Sequence, residues 1–121
     1  FLNRNVLEVC ISNQNSEQVL KSVCAQLETD YVIVKDQVGF ITPRVIGMII
    51  NEAYLTAEEG TANADDIDLA MKLGTNYPYG PFEWAKRIGI GELIKLMDAT
   101  YQATGDERYH ICQSLRNANQ I

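Results

Sequence analysis

A single histidine, His110, and three widely separated cysteines, Cys10, Cys24 and Cys112, are all the imidazole and thiol this sequence offers. One imidazole excludes a three-histidine metal site within the chain, and a nucleophile activated by a held base could be built only around the tail. An odd number of cysteines without close spacing argues against a disulfide framework or a thiolate metal cluster, so a reducing cytoplasm is the expected setting. The cysteines read as buried small hydrophobes or inert surface thiols, and His110 as a surface or helix-end residue. No apolar run approaches the roughly 20 residues of a membrane span, and the hydrophobic stretch 45–50 is far too short. Positive charge is scarce as well. Ten basic residues, scattered along the chain, stand against sixteen acidic ones, and the net charge of -6 speaks against a nucleic-acid or anionic-membrane partner. A glycine-rich phosphate loop is also missing: Gly89 and Gly91 flank Ile90, but no third glycine and lysine follow. Asp65, Asp66 and Asp68 lack calcium-loop spacing and do not read as a metal site; Asp65 and Asp66 sit where a helix start favours negative charge.

What is present is enough apolar material for one moderate core, 46% of 121 residues. Val6, Leu7, Val9, Cys10 and Ile11 predict a short, largely buried strand, in which Glu8 either faces solvent or is held in a cleft, since burying it unpaired is costly. Asn15 or Ser16 is placed to cap a helix running to about Leu27, with Val19, Leu20, Val23, Cys24 and Leu27 as its apolar stripe. A second strand follows at residues 31–34. Strand, helix and strand make a βαβ unit, which cannot cover both faces of its strands alone. That shortage, and the start at Phe1 without a charged leader and apolar core, lead us to expect the edge of a larger polypeptide and no signal peptide.

Beyond Asp36 the hydrophobic period becomes helical. Residues 40–57 predict a long helix ending near Gly60, with Pro43 tolerated in its first turn and residues 45–50 apolar nearly all round, as suits burial among helices or against a partner chain. Asn63 and Asp66 suggest a capping box opening a helix that carries Ile67, Ala70, Met71 and Leu73 and stops at Gly74. The segment Asn76, Tyr77, Pro78, Tyr79, Gly80, Pro81, Phe82, Glu83, Trp84 then sets rigid prolines and a permissive glycine among aromatics, so its backbone path is specified. Pro81 is placed to start a short helix with Phe82, Ala85 and Ile88 inward and Gly89 at its end. A further helix begins near Gly91 and is interrupted at Gly105. Asp106 is expected to cap a last helical segment holding Tyr109, Ile111, Cys112 and Leu115, with residues 117–121 frayed.

The residues themselves resemble a known family. From Val38 to Arg116 the order is Gly39 Phe40, Arg44, Asn51 Glu52 Ala53, Glu59 Gly60, Asp66 Ile67 Asp68, Ala70 Met71, Gly74, Pro78, Gly80 Pro81 Phe82 Glu83, Ile88 Gly89 and Gly105 Asp106 Glu107 Arg108 Tyr109. This ordered set resembles the C-terminal domain of the 3-hydroxyacyl-CoA dehydrogenases. Val6 Leu7 Glu8 Val9 is similar to a strand near the end of that family's NAD-binding domain. The resemblance implies a mainly α fold: a truncated β-α-β edge of a Rossmann domain over residues 1–36, then a helical domain like the 6-phosphogluconate dehydrogenase C-terminal domain over residues 37–121.

It also implies roles. Glu8 corresponds to the carboxylate that orients the catalytic histidine, which lies outside this chain, as does the NAD site. Thr42, Pro43 and Arg44 fall at the substrate-binding position, with Pro43 in place of the family asparagine and therefore without a side-chain or backbone donor there. Asn51 is expected to brace the fold, and Lys86 reverses the charge of an aspartate common in the family. The parent would bind an acyl-CoA substrate such as 3-hydroxybutyryl-CoA, act in fatty-acid metabolism and form a homodimer, while these residues alone would be inactive. Three readings follow: part of an NAD-dependent dehydrogenase supplying the helical wall of the substrate cleft and a dimer surface, a diverged acyl-CoA binder without oxidoreduction, or an oligomerising module.

Overall fold

The computed structural model describes residues 5–119. Contacts divide the chain into a unit ending at Ile41 and a unit beginning at Thr42. The first unit holds strand β1 (Val6–Val9), helix α1 (Gln14–Gln26) and strand β2 (Asp30–Ile33). β1 and β2 run parallel with Glu8 opposite Val32, so the helix between them is the crossover of a βαβ unit. Asn13 caps α1, its side chain accepting the N–H of Ser16 at 2.9 Å. The cap therefore sits before the Asn15 or Ser16 expected from the sequence, since Asn13 alone has the extended backbone an N-cap needs.

One helix cannot cover two parallel strands, and the consequences are visible in the side chains. Cys24 is buried, whereas Val6, Leu7, Val19, Val23, Leu27, Val32 and Ile33 are exposed. The expected stripe on α1 is thus only partly used. Sheets of this type normally have both faces covered.

The second unit is helical: α2 (Thr42–Glu58), α3 (Ala64–Thr75), α4 (Pro81–Ile88), α5 (Ile90–Thr104), a 3₁₀ turn (Glu107–Tyr109) and α6 (Gln113–Ala118). Phe40 and Ile41 precede α2 rather than joining it. Helix α2 is central and packs on α3, α4, α5 and α6. The core is Ile50, Ala85, Leu93, Met97, Tyr109, Ile111 and Leu115, and each large apolar member contributes about 1.5–3 kcal/mol by leaving water. Gly47 permits the close approach of α5, because a Cβ there would lie 2.7 Å from the Met97 sulfur. Within the stretch 45–50, Gly47 and Ile50 are buried but Val45 is 52% exposed, so this chain does not enclose it all round.

Three expectations are corrected. Helix α3 continues through Gly74 and ends at Asn76, whose φ of 55° supplies the left-handed stop. Ala70 and Leu73 point away from the core, with Leu73 78% exposed, while Asp68 is buried. The last segment is not one helix: Asp106 caps only the 3₁₀ turn, and α6 starts afresh after Cys112 and runs through Asn117. By contrast Asn63 caps α3 by accepting the N–H of Asp66 at 3.0 Å, Pro81 opens α4, and Gly89 and Gly105 close α4 and α5. Gln120 and Ile121, the end of the tail expected to fray, lie outside the described residues.

Candidate functional site

The residues singled out by the sequence fall in both units. In the first, Glu8 is half-buried on β1 and its Oε2 accepts the backbone N–H of Ile41 at 2.8 Å. Ile41 follows Gly39 and Phe40, with φ of 76° and 45°, a left-handed pair that redirects the chain immediately before that donor. A main-chain N–H bound to one carboxylate oxygen fixes the orientation of the whole group. A recess of about 310 Å³ in the same unit is lined by Ile33, Val34, Lys35, Gln37, Phe40 and Ile41. Its wall includes the residue that anchors Glu8.

In the second unit Thr42, Pro43 and Arg44 form the half-buried first turn of α2. Proline is accommodated there because first-turn N–H groups have no intrahelical acceptor. Arg44 donates from Nη2 to the hydroxyl of Tyr109, and its guanidinium carbon lies 4.9 Å from the centre of the Tyr109 ring. Two turns along α2, the Asn51 side chain grips the chain just after Tyr109: Nδ2 donates to the His110 carbonyl at 3.1 Å and Oδ1 accepts the Cys112 N–H at 2.9 Å. Asn51 therefore braces the fold. Tyr109, read from the sequence as an apolar position and as the end of a family-like run, is a partner of Arg44 that the sequence pattern does not announce. A tyrosine needing a hydroxyl partner when buried was the available signal.

The segment 76–84 is held by an acid from the preceding helix. Gly80 is the N-cap of α4 but has no side chain to accept its orphan N–H groups. Asp68 takes that role from α3, accepting the N–H of Phe82 at 2.8 Å and of Glu83 at 3.1 Å. Asp65 and Asp66 occupy the first turn of α3, as expected, whereas Asp68 faces inward and serves the next helix. Glu83 closes the arrangement by accepting the Gly80 N–H at 2.9 Å and the Lys72 ammonium at 2.8 Å. Those two donors hold the Glu83 carboxyl below its ordinary pKa, the Lys72 bond most strongly, and the same bond raises Lys72. Burial, then the Asp68 and Cys112 charges, raises the Tyr54 phenol. Tyr77 packs on Trp84 and Tyr54 on Phe82, with ring centres 5.1 and 4.5 Å apart. This loop is a braced turn between two helices.

Among the described residues no group of three or more His, Cys, Asp or Glu could hold a metal ion, and no helix is long and apolar enough to cross a membrane. The family model for the 3-hydroxyacyl-CoA dehydrogenase C-terminal domain matches residues 39–121. This chain belongs to that family. Its match to the 3-hydroxyadipyl-CoA dehydrogenase of Escherichia coli is 41% identical over 83 residues, covering 69% of this chain and 18% of that protein. A probable 3-hydroxybutyryl-CoA dehydrogenase of Bacillus subtilis is 36% identical over 114 residues, covering 92% of this chain and 40% of that protein. The crystal structure of the (S)-3-hydroxybutyryl-CoA dehydrogenase of Ralstonia eutropha superposes with a TM-score of 0.89 at 28% identity, over 95% of this chain and 42% of that one. The chain thus spans less than half the length of these relatives. Within the family the architecture is that of the mainly helical C-terminal domain preceded by a small β-α-β edge.

Proposed function

We propose that this chain is the helical domain, with the adjoining edge of the NAD-binding domain, of an NAD-dependent 3-hydroxyacyl-CoA dehydrogenase acting on short substrates such as 3-hydroxybutyryl-CoA. The division proposed is residues 1–36 for the NAD-binding remnant and 37–121 for the helical domain. The observation that carries the reading is Glu8, whose carboxylate is oriented by the Ile41 N–H within the strand-and-turn sequence the family resemblance marks. In this role Glu8 accepts a hydrogen bond from the catalytic histidine, located outside these residues, holds its tautomer and stabilises its charge as it takes the proton of the 3-hydroxyl.

The chain carries no glycine-rich dinucleotide fingerprint, so NAD is assigned to a part of the protein outside it. The helical unit is assigned the wall of the acyl-CoA cleft, with Thr42, Pro43 and Arg44 at the substrate. Exposed Leu69 and Leu73 on α3 support a homodimer surface. The acidic balance supports a protein without nucleic-acid or membrane partners, and the unpaired cysteines support a cytoplasmic one.

The test is turnover of 3-hydroxybutyryl-CoA with NAD by the full-length protein and by its Glu8→Gln variant. We expect kcat to fall about 100-fold in the variant, the scale of general acid–base assistance, with the KM for NAD little changed. Equal turnover would remove Glu8 from the mechanism, and absence of turnover in a folded, NAD-binding wild type would sink the dehydrogenase reading. Pro43 favours a second reading, an acyl-CoA-binding or oligomerising relative that has lost oxidoreduction, because proline cannot donate the hydrogen bond of the family asparagine.

A further inference from the structure

We infer that Tyr109 is a positioning residue for acyl-CoA recognition, acting through Arg44 to set the first turn of α2. The inference rests on the proposed function in placing Thr42, Pro43 and Arg44 at the substrate. Tyr109 engages Arg44 in two ways at once, by accepting a hydrogen bond from Nη2 at its hydroxyl and by placing its ring 4.9 Å from the guanidinium carbon. A guanidinium held at both a hydrogen bond and an aromatic ring loses most of its rotational freedom.

Tyr109 is itself fixed. It is buried as part of the core with Ile111 and Leu115, and it ends a 3₁₀ turn that Asp106 caps. Immediately beyond it, the Asn51 side chain ties His110 and Cys112 back to α2 through both its amide groups. Two residues of α2, one in the first turn and one in the middle, are therefore fastened to a single short segment 109–112. The core thereby determines where the start of α2 lies and in which direction Arg44 is held, so removing the Tyr109 hydroxyl should loosen Arg44 while the core packing of the ring remains.

The experiment compares full-length wild type, Tyr109→Phe, Arg44→Lys and the double variant in KM and kcat for 3-hydroxybutyryl-CoA, with thermal unfolding as a control. Losing a hydrogen bond to a charged group predicts a KM raised about tenfold in Tyr109→Phe, equivalent to about 1.4 kcal/mol, with kcat changed less. The double variant should be little worse than Arg44→Lys alone, because both changes break one contact. An unchanged KM in folded Tyr109→Phe, or strictly additive effects, overturns the inference and leaves the dehydrogenase reading standing. If wild type shows no turnover, that reading fails by itself and calorimetric affinity for 3-hydroxybutyryl-CoA replaces KM: weaker binding by Tyr109→Phe supports the inference, and unchanged or undetectable binding overturns it. If Tyr109→Phe does not fold, NMR of the Arg44 guanidinium in the full-length wild type replaces it: restricted rotation of the guanidinium supports the inference, and free rotation overturns it.

Discussion

The Asp68 carboxylate occupies the space that any side chain at residue 80 would need. A Cβ on Gly80 would lie 2.2 Å from Asp68 Cγ and 2.4 Å from Asp68 Cβ. Gly80 has an ordinary φ of -73°, so glycine is required by this approach and not by backbone strain. The absent side chain and the buried acid are complementary: Gly80 makes room for the group that caps its helix.

Gly80→Ala should therefore destabilise the helical unit by about 2–3 kcal/mol, the scale of overpacking combined with a disturbed cap. Urea unfolding measures this directly. Trimming the acid in Asp68→Ala/Gly80→Ala should give no rescue, since the Asp68 Cβ remains in the way. Recovery of wild-type stability in that double variant would show that the clash is with the Asp68 carboxylate alone and not with its Cβ.

The pair Glu83 and Lys72 gives the fold a pH dependence on both flanks. Glu83 is lowered from an ordinary 4.5 by Lys72 and the Gly80 N–H, so its contribution is present above pH 4.5 and is lost as pH falls through the lower folded value. Lys72 is raised from 10.5, and its contribution is present below that pH and lost as pH rises through the higher folded value. The Tyr54 phenol, raised from 10.0, acts in the same alkaline direction. Melting temperature against pH should fall on both sides, and Glu83→Gln should flatten the acid limb while leaving the Tyr54 part of the alkaline limb.

Asn51→Ala should release the segment 110–112 from α2 and cost about 1–3 kcal/mol, since it leaves the His110 carbonyl and Cys112 N–H without their partner. Hydrogen exchange reads the site itself. The Cys112 amide should lose protection selectively, while the amides of α5 retain theirs. Unchanged exchange at Cys112 would mean that another acceptor takes over.

Which features were legible follows from how far apart the partners lie. The βαβ order, the Asn63 cap and Pro81 at the start of α4 depend on neighbours within a few residues, and the sequence pattern reads them correctly. Asp68 acts on amides 14 and 15 residues away, and Tyr109 on an arginine 65 residues away, so composition and period point to neither pairing. Helix periodicity also misplaced Ala70 and Leu73, because an apolar residue can face solvent without a local penalty large enough to alter the pattern. Glu8 was conspicuous as an acid in an apolar strand, yet its anchor at Ile41, 33 residues on, emerges only from the folded chain.

Pro43 separates stability from chemistry in one substitution. In the first turn of α2 it restricts the unfolded chain without removing a helical hydrogen bond, so Pro43→Asn should lower stability by about 0.4–1 kcal/mol. The same change supplies a side-chain donor and acceptor at the position we propose for a substrate contact. Under the diverged reading the full-length Pro43→Asn protein should therefore melt slightly earlier but turn over 3-hydroxybutyryl-CoA about tenfold faster or more, the scale of one regained hydrogen bond in the transition state. Steady-state kinetics with NAD and thermal unfolding of the same preparation measure both effects. A lower melting temperature with no gain in rate would clear Pro43 as the cause of any lost activity, and would leave the first turn of α2 with a structural role at that residue.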